Sequence, residues 1–174
     1  MRGHGLTGAG ARLSHVEDVA TAVSADFRLR GIRHAIVGGL AVIAHGYERA
    51  TADVDLLVLN SGRVQGRAIG IPGAGFCWDG VPVDCLFCSA GEGFLTGAVG
   101  RAAPDPSGRP IIPLSALVYL KIKANRAKDR ADVVELLKVN APGPVALWIA
   151  RHAPHFTDRL AGLLREANTE RSKP

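Results

Sequence analysis

The stretch Val37-Gly38-Gly39-Leu40, followed closely by Asp53-Val54-Asp55, decides how this chain is read. The apolar run His34-Ala35-Ile36-Val37 leads into the glycines as a buried strand, and Leu40 to His45 continues as a short helix closed by Gly46. A glycine pair at such a strand-to-helix turn leaves backbone N–H groups bare, so a phosphate oxygen can approach them closely. Ala52 to Leu59 alternates acidic and apolar residues before becoming wholly apolar, a strand signal. Carboxylates at i and i+2 of a strand share one face. Asp53 and Asp55 are therefore suited to hold a divalent metal, with Val54, Leu56 and Val58 on the core side. A phosphate cradle beside a carboxylate pair is what metal-dependent attack on a nucleoside triphosphate requires.

Outward from this stretch, residues 1–12 are glycine-rich and read as a disordered leader. Ser14 opens a helical pattern with Glu17 in capping-box position, Val16, Val19, Ala20, Val23 and Phe27 at helical spacing, and Gly31 as its stop. Ser61 to Gly70 is a weak helix and Ile71-Pro72-Gly73 a turn. Ala74–Trp78 and Val81–Cys88 flank Asp79-Gly80, a strong hairpin signal. Residues 91–110 read as loop, broken by Pro104, Pro106 and Pro110. Pro113-Leu114-Ser115 introduces a helix to about Asn125, and a second runs from Lys128 to about Val139. After Pro142-Gly143-Pro144, helices are expected near residues 145–152 and 156–167. The fold class expected is α/β: a small mixed sheet in residues 13–112, then a C-terminal helical bundle in 113–168 and a tail in 169–174.

The 174 residues suit one domain with a sizeable core, and 47% apolar with 21% charged residues is the balance of a soluble globular protein. Aromatics make up only 5%, which argues against base stacking as a way of holding nucleic acid. The net charge of +5 favours polyanions without defining a site. No apolar run approaches membrane-spanning length and the N-terminus has no secretion-signal core. With three cysteines, an odd number, this reads as a cytoplasmic protein with free thiols. Cys85 and Cys88 fall in a strand run that points them to opposite faces, against a metal or redox pair.

A third carboxylate sharpens the site. Asp84 interrupts Val83-Asp84-Cys85-Leu86-Phe87, a run otherwise fit for burial, so it calls for a charged partner or a function. If its strand lies beside that of Asp53, three carboxylates converge and Asp84 can help deprotonate an attacking hydroxyl. Arg49 and Thr51, just before the Asp pair, are candidates for phosphate contact or for supporting it. His45 reads as a structural helix-end histidine. Asp129 sits in the first turn of its helix, and Lys128 and Asp132 form an i,i+4 pair. Arg126, Lys128, Asp129 and Asp132 suit either active-site support or a solvated charge cluster.

Gly38-Gly39, then Asp53-x-Asp55, then Asp84 on a later strand resemble the signature of the DNA polymerase β-like nucleotidyltransferase superfamily. The segments Pro113 to Leu117, Leu120 to Ala124, Arg126 to Asp132 and Leu136, with His45-Gly46, Arg49 and Thr51, are similar to small bacterial members such as the AbiEii-type toxins. The resemblance implies that Asp53, Asp55 and Asp84 bind two Mg²⁺ and that Gly38-Gly39 hold the triphosphate, with Arg49, Thr51 and Arg126 among the nucleotide contacts. Lys121 matches the family's lysine in position and would reach the phosphates, while Lys123 faces elsewhere. The implied reaction moves NMP from an NTP onto a hydroxyl of RNA (a tRNA 3′ end) or of a protein, with an antitoxin as a possible partner protein. A small-molecule acceptor and a non-catalytic antitoxin of the same fold are the alternatives. Gly39 departs from the superfamily's common serine, whose hydroxyl contacts the triphosphate.

Overall fold

The computed structural model describes residues 8–59, 75–89 and 91–172. Helix α1 (Gly8–Leu29) leads into β1 (His34–Ile36), α2 (Gly38–Ala44) and β2 (Val54–Val58). The hairpin β3 (Gly75–Trp78) and β4 (Val81–Phe87) follows, then α3 (Gly93–Gly100) and the short strands β5 (Ala103–Pro104) and β6 (Pro110–Ile111). The remainder is helical: α4 (Leu114–Ala124), α5 (Ala127–Val139), α6 (Pro142–His152), a 3₁₀ turn at Pro154–Phe156, and α7 (Thr157–Arg171).

The six strands form one mixed sheet in the order β3-β4-β2-β1-β6-β5. β2 pairs parallel with β4 and β1 parallel with β6, while β1–β2, β3–β4 and β5–β6 are antiparallel. Sheet and helices share a single apolar cluster to which α1, α4, β2 and α5 contribute most heavily. The alternating burial of β4 shows how the sheet divides its faces. Val81, Val83 and Cys85 are buried, whereas Pro82, Asp84 and Leu86 lie open.

Several expected elements have the anticipated place. Gly31, at φ +67°, lies just past α1, where Gly31 N donates to the Arg28 carbonyl and Ile32 N to the Phe27 carbonyl. That pair of bonds is the Schellman closure for which glycine is suited. At the hairpin tip Asp79 and Gly80 both have positive φ, 48° and 76°, the type I′ geometry.

Three expectations need correcting. Helix α1 begins at Gly8, not Ser14, because Ala9, Ala11, Arg12 and Leu13 are themselves acceptable helix formers. The stretch read as loop from 91 to 110 contains α3. Its three glycines disguise an apolar face in which Leu95, Ala98 and Val99 are buried. The same stretch also supplies β5 and the start of β6, completing the far side of the sheet. Helix α6 starts at Pro142, a proline in the first turn where its missing N–H is harmless. The weak helix and turn expected over 61–73 and most of the leader lie outside the described residues. No described helix is long and apolar enough to cross a membrane.

Candidate active site

The parallel pairing of β2 with β4 sets Asp55 opposite Asp84 in register. Asp53 stands one residue before β2, two residues from Asp55 on the same face. Each of the three carboxylates offers an oxygen within 4.8 Å of the others, and Asp53 and Asp55 are half-buried while Asp84 is exposed. This is the convergence expected if the two strands were neighbours.

Two glycines make room for that cluster, and a third for the side chains beside it. Gly38 has φ +59°, and a methyl group added to it would fall on the Asp55 carboxylate. Gly75, the register partner of Asp84 on β3, would place a methyl on the Asp84 carboxylate. A methyl on Gly39 would fall on the Thr51 hydroxyl and lie 2.9 Å from Arg49 Nη2. The space that a side chain at position 39 would need is thus already filled from positions 49 and 51, which is why glycine and not serine stands there. Gly75 was not singled out from sequence, since its role depends on strand register.

Crowding three acids together has an electrostatic consequence. Burial raises the Asp55 pKa above its ordinary 3.8, and the charges of Asp53 and Asp84 push it further, against the opposing pull of Lys121 and Lys128. A hard divalent cation would relieve that strain on Asp55, and three carboxylates fit Mg²⁺ in donor type.

On the helical side of the cleft lies a second, oppositely arranged cluster. Asp129 and Asp132 of α5 are both buried. Lys121 Nζ of α4 donates to Asp129 Oδ1 at 3.1 Å and to Asp132 Oδ2 at 2.6 Å, and is itself only 5% exposed. Arg126 Nε donates to Asp129 Oδ2 at 2.6 Å, and Arg49 Nε sits 3.2 Å from Asp132 Oδ1 as an ion pair without hydrogen-bond alignment. For Asp129, burial favours the neutral acid, but hydrogen bonds from Arg126 and Lys121 prevail and hold its pKa below the usual range. The expected Lys128–Asp132 pair is therefore not formed. Burial hands Asp132 to Lys121 and Arg49, and Lys128 stands exposed at the cleft.

Gly38, Gly39, Arg49, Asp53, Asp55, Asp84, Lys121 and Arg126 all line one cleft, with Leu86, Leu117 and Leu120 as its apolar wall. Thr51 stands at its edge, with its hydroxyl donating to Asp53 Oδ1 at 2.9 Å. Lys121 reaches the cleft, but its ammonium is held by the two α5 carboxylates.

Other candidates fall elsewhere. His45 is tied through Nε2 to the Ile112 carbonyl at 2.8 Å, a structural bond between α2 and the start of α4. It borders a larger cavity, about 620 Å³, on another flank of α2. That cavity is lined mainly by apolar and proline residues and, unlike the smaller cleft, holds no convergent acid cluster. Lys123 faces away, as expected, bonded to Glu92 at 2.6 Å. Glu92 is a buried acid at the start of α3 that sequence reasoning passed over as loop, and it also accepts from Tyr119 Oη at 2.6 Å and from Ser89. Cys77, Cys85 and Cys88 are all free thiols, and burial pushes Cys85 up to about 11.

No protein-family model matches this chain, and no curated protein does. Among solved structures it is similar to an antigenic nucleotidyltransferase-like protein from Paracoccidioides brasiliensis, with a TM-score of 0.46 and 11% identity, covering 85% of this chain and 93% of that one.

Proposed function

We propose that this chain is a Mg²⁺-dependent nucleotidyltransferase that moves NMP from a nucleoside triphosphate onto a hydroxyl acceptor. The observation that carries this reading is the convergence of Asp53, Asp55 and Asp84 within 4.8 Å beside the Gly38-Gly39 turn. The three carboxylates would hold two Mg²⁺ ions, which when bound neutralise phosphate charge and activate the attacking oxygen.

The residues of the chain supply the rest. Gly38 and Gly39 let the triphosphate come close to the backbone at the start of α2. Arg49, Arg126 and Lys128 present positive charge to it across the cleft, and Lys121, fixed by Asp129 and Asp132, keeps that wall positive and rigid. The acceptor hydroxyl gives its proton to Asp84, the most exposed of the three acids, as its oxygen attacks the α-phosphorus. The new O–Pα bond forms in line with the breaking bond to the bridging oxygen, and pyrophosphate leaves with that electron pair.

RNA is the acceptor class the surface favours. Arg126 and Lys128, on α5 and the turn before it, are exposed at the cleft, and the whole chain carries +5. Together with the resemblance of this helical segment to AbiEii-type toxins, that supports a toxin–antitoxin role with a tRNA 3′ end as target. The test is incubation with Mg²⁺, each labelled NTP and total tRNA. Label should pass to tRNA with wild type and not with Asp53→Ala or Asp55→Ala. Full labelling by either variant would overturn the metal assignment.

A further inference from the structure

We propose that Thr51 is a positioning residue for Asp53, and that Gly39 is glycine so that the Thr51 hydroxyl can take up this post. The inference rests on the reading of Asp53 as a metal-binding carboxylate.

An ionised carboxylate only accepts hydrogen bonds, so in the 2.9 Å contact the Thr51 hydroxyl donates to Asp53 Oδ1. The same oxygen lies 3.5 Å from the Asp53 main-chain carbonyl, so one side chain addresses both ends of Asp53. Asp53 precedes β2, so no ladder bond of that strand fixes its side chain. The Thr51 hydroxyl is the only hydrogen-bond donor to the Asp53 carboxylate among the described residues. With Oδ1 held, the Asp53 carboxylate has one fixed orientation beside Asp55 and Asp84, whose oxygens lie within 4.8 Å.

The hydroxyl can stand there only because position 39 has no Cβ. A carbon added at Gly39 would fall on Thr51 Oγ1 and lie 2.7 Å from Thr51 Cβ. Gly39 is buried in the first turn of α2 and has no positive φ, so conformational freedom does not explain glycine there. Space does. The phosphate turn and the metal carboxylate are in this way joined through one hydroxyl. Hydrogen-bond partners that orient metal-binding side chains commonly alter metal affinity by 10–100-fold when removed.

The test is calorimetric titration of nucleotide-free protein with Mn²⁺, alongside thermal unfolding. Thr51→Val keeps shape and removes the donor, and should weaken Mn²⁺ binding by about tenfold or more. Thr51→Ser restores the hydroxyl and should stay within about twofold of wild type. Gly39→Ala should reproduce the Thr51→Val loss by displacing the side chain. Wild-type Mn²⁺ affinity in Thr51→Val would overturn the inference alone. Failure of wild-type protein to bind Mn²⁺ would overturn the metal reading, and the inference with it.

Discussion

Asp55 and Asp84 face one another as register partners on two parallel strands, β2 and β4. The pairing brings two negative charges together, and the charge of Asp84 adds to the upward shift of Asp55. Such an arrangement is costly until a cation joins it.

That cost gives the first prediction. A carboxylate whose folded pKa is raised carries no penalty below its unfolded value, near 3.8, and acquires one as pH rises through the folded value. Once ionised in the metal-free protein, Asp55 carries that penalty. Asp55→Asn should therefore raise the melting temperature of metal-free protein by a few degrees while eliminating divalent-cation binding. A lowered melting temperature would contradict the electrostatic account.

The glycines separate conformational from steric demands. Gly38→Ala faces both a positive φ and the Asp55 carboxylate, and should cost about 1–3 kcal/mol in urea unfolding as well as metal affinity. Gly75→Ala has no positive φ and lies on an exposed strand. It should weaken Mn²⁺ binding by moving Asp84 while changing stability by less than Gly38→Ala does. Equal stability losses in the two variants would argue against this division.

Lys121 and Arg126 both serve Asp129, yet only one is buried. Lys121→Met leaves two buried carboxylates short of their shared cation and should destabilise the chain by about 3–5 kcal/mol. The Arg126 side chain is 63% exposed, so Arg126→Met should cost no more than about 1 kcal/mol. Its effect should instead appear as weaker NTP binding by calorimetry. A large stability loss in Arg126→Met with unchanged NTP binding would assign it a structural role.

Glu92 supplies the pH dependence. Burial opposes its ionisation, but hydrogen bonds from Lys123, Ser89 and Tyr119 outweigh that and hold it at about 2, against the usual 4.5. Its stabilising contribution is complete above 4.5 and is lost as pH falls from there toward 2. Glu92→Gln should be less stable than wild type at pH 7, with the difference shrinking as unfolding is followed down to pH 3. A gap that stays constant with pH would show that the charge is immaterial.

Local chemistry in the sequence reached the β1–α2 turn, the hairpin and the principal tail helices. Gly31 and Asp79-Gly80 each act through their own backbone, so their meaning travels with the residue type. The three acids could be brought together on paper because i, i+2 spacing fixes Asp53 with Asp55, and an Asp amid buried residues marks Asp84. What stayed hidden depends on partners distant in the chain. Helix α3 is held by what it packs against, despite three glycines. Asp132 ignores its i,i+4 neighbour Lys128 because burial rewards the cations that can follow it inside, Lys121 and Arg49. The meaning of Gly39 lies in Thr51, and of Gly75 in Asp84, contacts that only the fold creates.

The most direct measurement of the central claim is transfer of label from α-³²P-NTP to an acceptor RNA with Mg²⁺, comparing wild type with Asp53→Ala and Asp55→Ala at matched folding. Wild type should give labelled RNA and released pyrophosphate, and the two variants neither. Undiminished labelling by either variant, or none by wild type with any NTP and acceptor, would contradict that claim.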